Sequence, residues 1–392
     1  MKNLLKLYNF SNYAFTNGRG VYLFDKNNKR FIDFSSGIAV NALGYNHSLV
    51  NKTIKDQLKT GILHLSGSQI HKYKLELASL LSKITNKGKV FFSNSGTESI
   101  EAAIKFARIW GHLNNKKFEI ISMKNGFHGR TLGSLSLGSN KFYKNNMGQI
   151  PKNVKFCKFN DVEHLKKLVN PKKTLAIILE CIQGDGGIHI CSKEFSKSIK
   201  AICKKHNILL IIDEIQTGIG RTGKIFSYKH YGFQPDIITI SKALGTGYPI
   251  AATILNTKIS KVLKLGQHGS TFGGGMMQTR IALNVVKFIN RKKFLLEIKK
   301  NEIYLRKNLN LLKKQFPNVI KEIRGLGLMY GVELKNNYNV GKITNYCLNN
   351  GLIISGLSNN IIRITPPLII NKKEIKFGIK ILKNTFKKFL NN

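Results

Sequence analysis

The sequence predicts an α/β protein in which helices flank a mainly parallel central sheet, with a second, smaller α+β domain. Three observations predict it. Five short apolar runs, VFFSNSG from Val90, FEIISM from Phe118, TLAIILE from Thr174, ILLIIDE from Ile208 and DIITIS from Asp236, have the continuous apolar character of strands covered on both faces. Helical patterns lie between them. Ile100, Ala103, Ile104 and Ala107 follow the spacing of a one-faced helix, and Phe195, Ile199, Ile202 and His206 do so approximately. From about Arg280 onward the texture changes to Lys-rich helices, strands around GLGLMYGVEL and IIRIT, and a last helix striped by Ile375, Ile379, Leu382, Phe386 and Phe389. Alternating strands and helices build an α/β layer with right-handed crossovers.

The chain has 392 residues, 42% of them hydrophobic, enough for a large core. No uncharged apolar run reaches about 18 residues, and the first residues lack a continuous apolar signal segment, so a soluble, unexported protein is expected. Five scattered cysteines without a Cys-x-x-Cys pair argue against a disulfide framework and fit a cytoplasmic location. Cys181, His189 and Cys191 lie close together, but their spacing matches no structural zinc pattern, and no metal is expected. The 64 Lys and Arg against 20 Asp and Glu give a net charge of +44, which would attract polyanions. The basic residues come as dispersed pairs such as Lys166-Lys167 and Lys387-Lys388, with no long block and no aromatic-interleaved stripe. Solvated surfaces explain them better than a dedicated nucleic-acid face.

Ligands of open α/β sheets sit beyond the carboxyl ends of the strands, so the polar residues there are the candidates. After the Val90 run, Ser95 and Glu98 are spaced as a capping box, and Gly96 and Thr97 open a helix whose free N–H groups can seat a phosphate. Asp213 ends a continuous apolar strand, where a carboxylate needs a cationic partner or a protonated ligand nitrogen. Lys242 ends the next, where it can lose its proton and attack a carbonyl. Singly, these are equally a plain helix cap, a salt bridge and a surface lysine. Together, a phosphate seat, a carboxylate and a lysine at three strand ends specify pyridoxal phosphate. Gly218, Gly220 and Gly223 spell the dinucleotide G-x-G-x-x-G, but a polar stretch separates them from the strand and little helix signal follows. A nicotinamide-linked enzyme is the formal rival.

Over nearly its whole length the chain resembles the class III (ω-)aminotransferases of fold type I. The resemblance rests on motifs in the family's order: GRGVYLFD, FIDFSSGIAVNALGYNH, NSGTESIEAAIKFAR, NGFHGRT, ILECIQGDGG, IIDEIQTGIGRTGKIFSY, PDIITISKALGTGYPIAA, HGSTFGGG, GLGLMYGVEL and RITPPL. It implies that Lys242 bonds the cofactor covalently and then serves as base and acid, with Asp213 holding the pyridine nitrogen protonated. Gln216 would contact the ring hydroxyl and Phe127 the ring face. Ser95, Gly96 and Thr97 would hold the phosphate, with Thr271 reaching it from a partner subunit in a homodimer. Arg130, with Ser270 beside it, would take the carboxylate of N-acetylornithine, and Arg363 the α-carboxylate of glutamate or 2-oxoglutarate. Asp185 would pair with Arg363 and swing aside between half-reactions. The corresponding division is a large cofactor-binding domain of residues 46–280 and a small domain of residues 1–45 and 281–392. The implied activity moves the terminal amine of N-acetylornithine to 2-oxoglutarate, with other ω-amine donors as alternatives.

Three departures bear on selectivity. Asp185 stands where the family usually has Glu, and Gly275-Met276 where it usually has Asn-Pro. SGSQ from Ser66 replaces an expected Ser-Asn-Leu-aromatic stretch along the substrate channel.

Overall fold

The computed structural model describes residues 3–390 except 9, 115, 337, 358 and 359. Strands β1 (Phe15–Arg19), β2 (Tyr22–Asp25) and β3 (Arg30–Asp33) form an antiparallel meander near the start of the chain. Next come β4 (Lys89–Ser93), β5 (Glu119–Met123), β6 (Val154–Cys157) and β7 (Thr174–Leu179). The short hairpin β8 (Ile182–Gln183) and β9 (His189–Ile190) follows. Then come β10 (Leu209–Asp213), β11 (Ile237–Ile240) and β12 (Ala251–Leu255). The last strands are β13 (Ile320–Leu326), β14 (Met329–Leu334), β15 (Leu352–Ile353), β16 (Ser355–Leu357) and β17 (Ile361–Ile364).

The central seven-stranded sheet has the order β4-β12-β11-β10-β7-β5-β6. All neighbours are parallel except β12, which runs against both β4 and β11. Every residue of β7, β10, β11 and β12 is buried, as continuous apolar runs between helical layers require. The five runs picked out in the sequence are β4, β5, β7, β10 and β11. Because β12 reverses, β4 points the same way as the parallel strands, and their carboxyl ends meet at one edge.

Ser95 caps the helix Gly96–Leu113, and the capping box with Glu98 is formed in both directions. The helix buries Ile100, Ala103, Phe106 and Ala107 against the sheet, each large side chain stabilising the fold by about 1.5–3 kcal/mol. The final helix, Lys372–Leu390, buries Ile375, Ile379, Leu382 and Phe386, four of the five residues of the sequence stripe. A second sheet has the order β13-β14-β17-β16, while β15, from late in the chain, joins the meander in parallel beside β3.

One segment defies propensity. Ser36, Gly37, Ile38 and Ala39 have φ of 46°, 61°, 62° and 63°, a turn of left-handed helix that strains each non-glycine residue by about 1–2 kcal/mol. Its flanks are clamped. Ser36 Oγ donates to Thr365 O at 2.6 Å, Thr365 Oγ1 donates to Ser35 O at 3.0 Å, and Leu43 N donates to Thr246 Oγ1 at 3.0 Å. The segment thereby bridges the chain just beyond Arg363 and just beyond Lys242.

The glycine triplet Gly218, Gly220 and Gly223 lies in turns, and only a single 3-10 turn, Ser227–His230, follows. The dinucleotide reading has no helix to stand on. Arg221, within that triplet, is wholly buried and donates to the carbonyls of Leu328 at 3.1 Å and Pro366 at 2.5 Å. Burial lowers its pKa to about 9, with Asp33 opposing. All five cysteines are free, and no described helix is long and apolar enough to cross a membrane.

Candidate active site

A cavity of about 260 Å³ opens at the carboxyl ends of the parallel strands, lined by Gly96, Thr97, Phe127, Arg130, Glu180, Asp213, Gln216 and Lys242 among others. Seven of the residues singled out in the sequence therefore converge. Each arrives from a strand end: Gly96 and Thr97 beyond β4, Phe127 and Arg130 beyond β5, Asp213 closing β10, Gln216 after it, and Lys242 two residues beyond β11. A larger cavity of about 760 Å³ lies on the outer side of the helix Gly96–Leu113 and contains none of these seven.

Lys242 has φ of 45°, a left-handed backbone that a side-chain-bearing residue adopts at a cost of about 1–3 kcal/mol. Burial lowers the pKa of its amine, and Arg363 adds to the effect while Asp185, Asp213 and Glu180 oppose it. The result is an amine poised to lose its proton.

Asp213 is 2% exposed. Its Oδ1 accepts from Ile215 N at 2.9 Å and Thr239 Oγ1 at 3.4 Å, and its Oδ2 faces His128 Nδ1 at 2.8 Å. The cationic partner that a buried carboxylate needs is thus a histidine, not a Lys or Arg. Burial works against protonating His128, but the hydrogen bond and charge of Asp213, with Glu180 beyond, outweigh it and raise the pKa. His128 Nε2 is buried without a partner. A carboxylate offers about four lone-pair directions, so Asp213 can accept one further N–H from a ligand.

Glu180 follows β7 and accepts from Phe127 N at 3.0 Å and Gly184 N at 2.9 Å. Burial pushes its pKa up to about 7, His128 lowering it and Asp213 raising it. The folded state therefore holds this proton more tightly than the unfolded chain, whose value is 4.5. Its stabilising contribution is complete below 4.5 and is lost as pH rises through about 7. Glu180→Gln should remove a pH-dependent loss on the order of 2 kcal/mol across that window. Melting curves of both proteins from pH 4 to pH 8 check this, and stability profiles that stay parallel would refute it.

Arg363, 3% exposed, donates through Nη1 to Asp185 Oδ1 at 2.6 Å, Gly184 O at 3.3 Å and Gln216 Oε1 at 3.3 Å. The shorter acid still reaches the guanidinium. Arg130 is exposed, its guanidinium 3.7 Å from the centroid of Tyr143 and 5.4 Å from that of Phe127. Tyr143 and Asp185 line an adjoining cavity of about 410 Å³ that shares Phe127 with the first.

Thr97 Oγ1 meets Thr131 Oγ1 at 2.8 Å and Ser134 Oγ at 2.7 Å. Gly129, with φ of 139°, packs so close to both Thr97 and Ser134 that any side chain would collide.

Three expected residues stand elsewhere. Ser95 does not line the cavity: its hydroxyl is committed to Glu98, 2.8 Å from Oε2, so only the backbone that it caps can serve a ligand. Ser270 Oγ accepts from Asn94 Nδ2 at 3.2 Å and Gly273 N at 3.1 Å, and does not meet Arg130 within one chain. Thr271 is exposed, between exposed Leu265 and Phe272. Of the departures, Gly275 caps the helix Met276–Ile289 without a side chain, while Thr279 Oγ1 donates to its carbonyl at 2.8 Å.

Sequence reasoning passed over His128 and Glu180 as site residues. Both lie inside quoted motifs, NGFHGRT and ILECIQGDGG, but a lone histidine and an acid just beyond a strand carry no pattern until Asp213 is placed beside them.

The layered α/β fold brings a buried carboxylate–histidine pair and a strained lysine to one cavity at the strand ends. The chain belongs to the class-III aminotransferases, whose family profile matches residues 7–386. It is 41% identical to the acetylornithine/succinyldiaminopimelate aminotransferase of Buchnera aphidicola subsp. Acyrthosiphon pisum, covering 99% of this chain and 96% of the relative. It is 40% identical to the acetylornithine aminotransferase of Methanocaldococcus jannaschii, covering 97% and 95%. The crystal structure of the ornithine aminotransferase from Toxoplasma gondii ME49 superposes with a TM-score of 0.94 at 26% identity, covering 100% of this chain and 94% of the other.

Proposed function

We propose that the protein transfers the terminal amine of N-acetyl-L-ornithine to 2-oxoglutarate, giving N-acetyl-L-glutamate 5-semialdehyde and L-glutamate, with pyridoxal phosphate as cofactor. One observation carries the reading: Lys242 and Asp213 face one cavity beside the helix N-terminus at Gly96, in a chain about 40% identical to aminotransferases named for acetylornithine. The unpartnered Nε2 of buried His128 and the spare lone pair of Asp213 fit a polar aromatic ring, and the free N–H groups at Gly96 and Thr97 fit its phosphate. Bound there, the cofactor supplies an electron sink for negative charge developing on the substrate carbon.

The protein's own groups supply the rest. The Asp213 carboxylate, paired with His128, would keep a ring nitrogen protonated. Phe127 and Gln216, which line the same cavity, would hold the ring by its face and its hydroxyl. Lys242 Nζ, made less basic by burial, would hold the cofactor through its aldehyde and would serve as the group that removes and returns the substrate proton. Arg130, its guanidinium over the Tyr143 ring, presents its fork to the carboxylate of N-acetylornithine. Arg363 takes the α-carboxylate of 2-oxoglutarate once Asp185 gives way, and a homodimer places Thr271 and Ser270 at the partner's site. The exposed Phe272 next to Thr271 supports that contact. A cytoplasmic enzyme of arginine biosynthesis is the corresponding setting.

Steady-state kinetics with 2-oxoglutarate and N-acetylornithine, succinyldiaminopimelate, ornithine or 4-aminobutyrate tests the reading. The expected outcome is a kcat/KM for N-acetylornithine at least about tenfold above that for ornithine and for 4-aminobutyrate, since only a donor whose carboxylate suits Arg130 uses that fork. Preference for unacylated ornithine would overturn it.

A further inference from the structure

The loop carrying Asp185 is held by two arginines, and only one of them belongs to the cavity. Arg324 and Gly331 are directly paired between β13 and β14, and Gly331 and Arg363 between β14 and β17. Residues paired across strands send their side chains to the same face, so Arg324, Gly331 and Arg363 form one row with a gap in the middle. The loop from Gly184 to Ile188 lies over that row. At one end Arg363 grips Gly184 O and Asp185. At the other, Arg324 Nε donates to Gly187 O at 2.8 Å. Over the gap, a Cβ at Gly331 would stand 3.0 Å from Ile188 Cβ and 3.3 Å from Gly187 O, so the row accepts the loop because the central residue has no side chain.

Arg324 is itself fixed. It is 9% exposed, and its Nη1 donates to Glu322 Oε2 at 2.8 Å and Glu333 Oε2 at 2.5 Å. Lys321 Nζ donates to the other oxygen of Glu333 at 2.7 Å. One planar fork thus joins two carboxylates on the hairpin to a carbonyl two residues beyond Asp185, a geometry that a lysine cannot reproduce.

We propose that Arg324 is a positioning residue: by pinning Gly187 it holds Asp185 on Arg363, and so sets how readily an incoming α-carboxylate displaces that acid. The inference rests on the transaminase reading given above. Asp185 and a substrate carboxylate compete for the same guanidinium. Anything that stabilises the Asp185 pair disfavours ligands that need Arg363 free and favours donors bound through Arg130. The pin also offsets the shorter reach of an aspartate.

The test uses two variants of the cofactor-loaded enzyme. Arg324→Lys keeps the charge and loses the fork, and Gly331→Ala changes no charge but presses the loop away from the row. Calorimetry with glutarate, a dicarboxylate that cannot react, reads the competition without catalysis. Both variants should bind glutarate about fivefold more tightly than the parent, and the ratio of kcat/KM for N-acetylornithine to that for glutamate should fall about tenfold. An unchanged glutarate Kd with both substrates slowed in equal proportion would make Arg324 only a structural brace and overturn the proposal. Should one variant fail to fold, the other decides. If the parent enzyme ignored N-acetylornithine, the proposed function would fall, while the glutarate measurement would still decide the role of Arg324.

Discussion

Lys242→Ala is expected to lose transamination by about 10⁴-fold or more while keeping its fold. The loss is large because the proposed function gives one amine two tasks, covalent capture of an aldehyde and the relay of a proton between adjacent carbons, each worth orders of magnitude. The fold survives because the substitution removes a desolvated amine and breaks none of the backbone bonds around it, such as Leu244 N to Ser241 O at 2.9 Å and Gly245 N to Lys242 O at 3.0 Å. Alanine inherits the left-handed φ of 45°, so that strain stays in place. The melting temperature should match or exceed that of the parent. Half the parent activity in the variant, measured after removal of contaminating aminotransferases, would end the assignment.

Asp213→Asn should cost about 10²–10⁴-fold in kcat with a nearly unchanged size and shape. The carboxylate now balances His128 and has capacity for one more N–H. An amide keeps the volume but loses the charge, and its single carbonyl oxygen cannot serve both Ile215 N and the histidine. A ligand nitrogen would no longer be kept protonated, and His128, stripped of the partner that raises its pKa, would turn neutral. Asp213→Glu should do little better, because the carboxylate is fixed by β10 on one side and by Thr239 of β11 on the other. Stopped-flow measurement of each half-reaction should show both slowed together, and a loss confined to one would contradict the role.

The sequence displays the strands that are buried on both faces. Thr174–Leu179 and Leu209–Asp213 are continuous apolar runs because no residue in them meets water. It hides β6 and β12 for opposite reasons. The first, VKFC, is an edge strand whose Lys155 reaches out to Glu119 at 2.9 Å, so its apolar signal is diluted. The second, AATIL, is short and opens with two alanines, and no periodicity tells that it runs against its neighbours. The left-handed turn at Ser36–Ala39 was illegible because Ile38 and Ala39 oppose it by propensity, and the bonds that hold it, from Ser35 N and Ser36 N to Asp33 Oδ1 and from Ser36 Oγ to Thr365 O, carry no periodic signal.

At the site, residues at strand ends were readable because the layered fold forces strand ends together. That rule singles out Lys242, Asp213, Gly96 and Thr97 as residues to inspect, and they do share one cavity. His128 does not, since its pairing with Asp213 spans 85 residues and belongs to the tertiary fold. The spacing of Ser95 and Glu98 was readable as a capping box because that motif is local, and the box forms.

On the proposed function, Lys242 is the amine that would grip the cofactor. Borohydride reduction of the cofactor-loaded enzyme, followed by peptide mapping, tests it most directly. The expected result is a pyridoxyl mass on the peptide carrying Lys242 and its loss in Lys242→Ala. The same mass on any other lysine of the parent protein, or none at all in a fully loaded sample, would contradict it.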